Sequence, residues 1–123
     1  MFKINFILTC EKAELIPDSR KSNFYGIFDT IYASSFPAIH KSMTIVVNFE
    51  KEPGEHQEFF LLKKGNVEIF TGPIVNFKGQ RPRHQFVHRI ENVPLPWAGK
   101  YEIEVYVNNK LIGSYYFFAE LTK

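Results

Sequence analysis

The chain has 123 residues, room for one domain over residues 1–123 and one hydrophobic core. Apolar residues make up 45% and charged residues 23%, which excludes an intrinsically disordered chain, and a formal charge of +2 is too weak to predict a polyanionic partner unaided. Cys10 is the single cysteine, which excludes an intrachain disulfide and a multi-cysteine metal site.

Aromatic content gives the first lead to the fold. Thirteen phenylalanines and six tyrosines favour pleated, half-buried surfaces and so lean toward β structure. The opening segment alternates Phe2, Ile4, Phe6, Leu8 and Cys10 with Lys3, Asn5, Thr9 and Glu11, a period of two that predicts a strand with one wet side. That alternation is not the unbroken apolar run of a signal peptide, and no stretch is long enough for a membrane-spanning helix. A cytoplasmic address is therefore expected.

The strand continues through Ala13, Leu15 and Ile16 until Pro17–Ser22 supplies a polar turn. A second apolar stretch covers 24–33, where Gly26 predicts a bulge or a close backbone approach. Met43, Ile45, Val47 and Phe49 then alternate cleanly with Thr44, Val46, Asn48 and Glu50. After the turn at 52–55, Phe59-Phe60-Leu61-Leu62 reads as a strand buried on both faces. Lys64-Gly65-Asn66 can close a hairpin onto Val67, Ile69 and Phe70. The segment 72–82 is turn-rich and basic, and Phe86, His88 and Ile90 share a face of the next strand. Pro94 and Pro96 are expected to bracket an extended linker.

The last hairpin is the clearest local signal. Tyr101, Ile103, Val105 and Val107 lead into Asn108-Asn109, a pair tolerant of the positive φ that a two-residue turn needs. Such a turn sets Val107 opposite Lys110 and Val105 opposite Ile112, so Ile112, Tyr116 and Phe118 are expected on the core face. Short strands, frequent proline and glycine turns and no helical periodicity together predict an all-β, antiparallel immunoglobulin-like β-sandwich of seven or eight strands.

Cys10–Glu14, Gly26–Asp29, Phe36–His40, Glu52–His56, Gly99–Tyr101 and Val107–Lys110 together resemble a family of small uncharacterised bacterial β-sandwich proteins of unknown function. The resemblance implies a bacterial origin and a β-sandwich. It implies no activity.

Candidate chemistry is sparse. His84 and His88 have the spacing of helical metal ligands, but on a strand four residues span roughly 13 Å, so no metal site is assigned. His88, between Phe86 and Ile90, is expected to be a hydrogen-bonded core histidine. No cofactor motif is present, and no catalytic residue is assigned.

Lys78, Arg81, Arg83 and Arg89 form a basic run with no acid between Glu68 and Glu91. Arg81, Arg83 and Arg89 are candidate anion contacts for a small ligand or a nucleic acid; the competing reading is a solvated loop beside an edge strand, and nucleic acid is disfavoured by the weak net charge. Asp29 and His40 would make a hydrolase only if the fold brings them into hydrogen-bond reach.

The leading expectation concerns the outer side of the last hairpin, assigned to Tyr106, Leu111, Tyr115 and Phe117. A sandwich strand needs one apolar face, and this pair has nearly two. The second must be covered within the chain, for instance by the Pro94–Trp97 linker, or by a protein partner such as a second copy. The function expected is a non-enzymatic protein-interaction or self-association module.

Overall fold

The computed structural model describes residues 2–122; Met1 and Lys123, the ends of the expected domain, lie outside the described residues. Eleven strands run in chain order: β1 (Lys3–Cys10), β2 (Lys12–Ile16), β3 (Lys21–Tyr25), β4 (Thr30–Ala33), β5 (Ala38–Glu50), β6 (Gly54–Lys64), β7 (Val67–Thr71), β8 (Val75–Gly79), β9 (Arg83–Leu95), β10 (Gly99–Val107) and β11 (Lys110–Leu121). The all-β expectation holds, with more strands than the seven or eight foreseen. No helix among the described residues is long and apolar enough to cross a membrane.

The strands form two main sheets. One has the order β1-β5-β9; the other has the order β4-β11-β10-β6-β7, with β8 also paired to β6. Every pairing is antiparallel except β4 on β11, which is parallel. The sheets pack face to face over one core. Met43, Ile45, Val47, Phe49, Phe86 and Ile90 come from the first sheet; Phe60, Leu62, Tyr101, Ile103, Val105, Val107 and Phe117 come from the second. These are the alternate residues of each strand, as the pleat requires.

Two β-bulges decide which residues reach that core. In β1 the register shifts between Ile4 and Phe6, opposite Phe49 and Asn48. Alternation from Phe2 to Cys10 therefore breaks: Phe2, Ile4 and Ile7 pack on the shared core, whereas Phe6 contacts Phe24 on the other side, with ring centroids 6.3 Å apart. In the last hairpin Val107 does face Lys110, but Val105 faces Gly113 rather than Ile112. A shift of one residue exchanges the faces of all that follows. Phe117 is thus fully buried and Tyr115 is half-buried against the core, while Tyr116 and Phe118 point out. The expected outer positions of Tyr115 and Phe117 are corrected accordingly.

The chain does not stay in the first sheet after Cys10. β2 and β3 pair only with each other, and β2 lies against β5. This hairpin roofs the outer face of the β1-β5-β9 sheet, which is why Cys10, Thr44 and Val46 are buried although Cys10 and Val46 lie outside the central core. Gly26, at φ +62, returns the chain beside Glu11, as the glycine led us to expect.

Pro94 is a further correction: it lies inside β9, opposite Ile39. It is tolerated because β9 is the edge of its sheet, where a missing N–H breaks no ladder. Turns behave as their residues dictate, with Asn108, Asn109 and Gly65 all at positive φ.

Candidate functional site

The outer face of the six-stranded sheet is built by register. Phe59 stands opposite Tyr106, Leu61 opposite Glu104, and Lys63 opposite Glu102. One strand further, Lys100 meets Phe118 and Glu102 meets Tyr116; beyond them Glu120 meets Tyr32. The Phe59 and Tyr106 rings stack, 4.9 Å apart and 5° from parallel. Lys100 Nζ sits 4.0 Å over the Tyr116 ring, a cation–π contact.

The centre of the face is partly desolvated by its own side chains. Glu104 is buried there, accepts a 3.0 Å hydrogen bond from the Tyr106 hydroxyl and lies 3.6 Å from Lys63 Nζ. Burial first, and the Glu104 carboxylate second, push the Tyr106 hydroxyl above its ordinary pKa. Tyr32, Leu111, Tyr116 and Phe118 remain exposed around this centre, with Tyr116 at 45%. No strand of the described residues lies across the face. The Pro94–Trp97 segment does not cover it: Pro94 and Leu95 belong to β9 of the opposite sheet, and Leu95 is in the shared core. Tyr106 and Leu111 are placed where the sequence put them; Tyr116 and Phe118 take the places given to Tyr115 and Phe117.

The basic residues divide. Arg81, two residues before β9, and Arg83, its first residue, line a cavity of about 530 Å³ together with Leu15, Arg20, Ser22, Asn48, Pro82, His84 and Gln85. Arg20 comes from the β2–β3 turn, far away in sequence, and only the folded hairpin brings it there. A chain of amides fixes the floor: Asn5 Nδ2 donates to Asn48 Oδ1, Asn48 Nδ2 to Gln85 Oε1, and Gln85 Nε2 to Ser22 Oγ, all within 3.1 Å. Arg89 is elsewhere, paired through Nε with Glu91 Oε1 at 3.3 Å. It is not part of the cavity.

The Lys51 backbone adjoins Pro82, while its side chain lies outside the cavity lining. Lys51 is buried, its Nζ donates to the Gly79 carbonyl at 2.7 Å, and its backbone N–H donates to Pro82 O. Burial first, and the Lys51 charge second, hold His84 below its usual pKa.

Asp29 and His40 are not hydrogen-bonded to each other. Asp29 Oδ1 accepts from the Thr30 hydroxyl, and His40 Nε2 is buried without a hydrogen-bond partner among the described residues. The condition set for the hydrolase reading is therefore absent. His88 is a hydrogen-bonded core histidine as expected, its Nε2 3.0 Å from both carboxylate oxygens of fully buried Glu58. Its ring lies between Phe60 and Phe86, with centroids at 4.9 and 5.5 Å. Among the described residues no hydroxyl or thiol hydrogen-bonds to this pair, and no three His, Cys, Asp or Glu side chains group as metal ligands.

Comparison with known proteins places the architecture more than the chemistry. No curated protein matches the sequence. Among solved structures, the chain resembles the Pseudomonas fluorescens alkylpurine DNA glycosylase AlkC bound to DNA containing an abasic site analogue. The TM-score is 0.56 at 13% identity, over 97% of this chain and 30% of the glycosylase. The likeness is one of fold, and this chain spans under a third of that enzyme's length. A family model matches residues 5–120, nearly the whole sequence, and the protein therefore belongs to DUF6941, a family of unknown function.

Proposed function

We propose that residues 1–123 form one immunoglobulin-like, non-enzymatic interaction module of a bacterial cytoplasmic protein. It pairs with a second copy of itself through the outer face of the six-stranded sheet. The observation that carries this reading is the contrast between the two outer faces: the β2–β3 hairpin roofs one, and the other presents Tyr32, Phe59, Tyr106, Tyr116 and Phe118 with no strand of the described residues across them. An aromatic sheet face of this kind has the composition of an interface core.

Self-pairing is favoured by charge. A two-fold contact sets a patch against itself, so each charge must find its opposite on the same patch. Lys63 and Lys100 lie here beside Glu102, Glu104 and Glu120, which meets that condition.

Two features support the immunoglobulin-like assignment. The order β1-β5-β9 facing β11-β10-β6 corresponds to an A-B-E sheet facing G-F-C. The Tyr101 hydroxyl, near the start of β10, donates to Trp97 O at 2.6 Å and accepts from Trp97 N at 3.2 Å, in the manner of a tyrosine corner. The cytoplasmic assignment rests on a lone, buried, unpaired cysteine, and the bacterial one on the sequence motifs.

Sedimentation velocity over a concentration series tests the reading. The wild type is expected to move from monomer to dimer, and Tyr116→Glu or Phe118→Glu to stay monomeric with an unchanged unfolding temperature. A wild type that remains monomeric at every concentration would sink the self-association reading.

A further inference from the structure

On the side of the sandwich away from the aromatic face, cations gather that form no ion pair among the described residues. Arg20, Arg81 and Arg83 line one cavity, and none of them makes an ion pair or hydrogen bond among the described residues. Glu50 stands directly across the ladder from Arg83, yet no ion pair forms between them. Like charges held around one space raise each other's energy, and an anion entering that space reverses the sign of the interaction.

The cavity is built to hold such an anion in place. The Asn5–Asn48–Gln85–Ser22 hydrogen bonds occupy the amides and make the floor rigid. Ser22 Oγ accepts in this chain, so its own proton remains free to donate into the cavity. Leu15 and Pro82 supply an apolar wall. Three exposed arginines brought to one cavity from two separate segments suit a group with three or four oxygens better than a carboxylate with two. A volume of about 530 Å³ exceeds a single oxyanion and leaves room for what carries it.

We propose that this cavity is a phosphoryl-binding site, in which Arg20, Arg81, Arg83 and the Ser22 hydroxyl hold a phosphate monoester or diester. The phosphate belongs either to a small phosphorylated molecule or to a nucleic-acid strand. Arg89, already paired to Glu91, takes no part. The site does not depend on self-association, since it lies on the opposite sheet.

Calorimetric titration with pyrophosphate and with a short 5′-phosphorylated single-stranded oligodeoxynucleotide tests the assignment. Arg20→Ala and Arg83→Ala should each weaken binding by about tenfold without lowering the unfolding temperature. Arg89→Ala should bind as the wild type, and Glu50→Gln should bind two- to fivefold more tightly, roughly what removing one exposed like charge provides. An oligonucleotide that binds well above pyrophosphate, with an affinity that falls with salt by about 0.7 log units per log unit for each phosphate engaged, identifies a strand. Equal affinities identify a small phosphorylated molecule. No binding of either probe, an Arg20→Ala variant equal to wild type, or an Arg89→Ala variant as weak as Arg83→Ala would overturn the proposal.

Discussion

His84 and His40 are both held below the ordinary imidazole pKa of 6.5, in each case chiefly by burial. Lys51 reinforces the shift at His84, whereas Glu11 and a backbone bond to Ser42 oppose it at His40. A base depressed in the folded state binds fewer protons there than in the unfolded chain. Stability is therefore full above the unfolded value and falls as pH drops from about 6.5 through the folded pKa values. The urea midpoint should be lower at pH 5 than at pH 7.5, and His84→Gln should narrow the difference. A midpoint that does not change between the two would show that these imidazoles protonate without cost. At this scale the sequence was partly legible. The core role of His88 follows from its place between Phe86 and Ile90, and its partner Glu58 is legible by the same rule. Glu58 precedes Phe60 and Leu62 by two and four residues, so strict alternation already places it on the buried face.

Among the elements, strand existence was legible from alternation and strand facing was not, because a β-bulge leaves the polar–apolar pattern intact while shifting its phase. Both hairpin closures, at Gly65 and at Asn108-Asn109, were readable because the residues themselves demand positive φ. Arg20 could not be assigned to the cavity of Arg81 and Arg83, since no local pattern joins a turn at residue 20 to a strand starting at residue 83. Pro94 misled for the opposite reason: the rule against proline in a ladder holds for central strands, and edge position is a tertiary property. The link between β7 and β8 offers a test of how tightly these elements fit. Gly72 donates its N–H to Phe60 O at 2.8 Å, and a Cβ there would fall 2.3 Å from the Phe60 ring. Phe60 is 1% exposed and has no room to yield. Gly72→Ala should thus cost about 2 kcal/mol, read as a drop in urea midpoint, and Phe60→Leu in the same chain should recover part of it.

Considered as a whole, the molecule has a main core between two sheets and a smaller one beneath the β2–β3 hairpin, where Cys10 and Val46 are buried. Burial raises the Cys10 thiol pKa, against a weaker lowering by the Lys12 backbone, so the thiolate that reagents require is scarce. Cys10 in the native protein should resist a thiol-specific reagent until denaturant is added. Replacing residues 12–25 by a short glycine-serine linker should make it react at once. Rapid reaction in the intact protein would mean that the hairpin opens freely. The overall class, all-β with an aromatic surplus, was legible from composition and periodicity. The roofing of one sheet by its own hairpin was not, because the apolar residues of 2–16 read as a single continuous strand.

The bulge in the last hairpin, where Tyr106 faces Leu111 and Val105 faces Gly113, has a consequence for how this protein can vary. It acts as a phase switch between an inner and an outer set of rings. Removing one residue there would move Phe117 from the interior to the surface and send Tyr116 and Phe118 inward. Chain length in this hairpin can therefore change only in steps of two, or in one step matched by a second bulge further along. A relative with a single-residue gap between Val107 and Tyr115 and no second bulge would have to exchange its aromatic surface for its core.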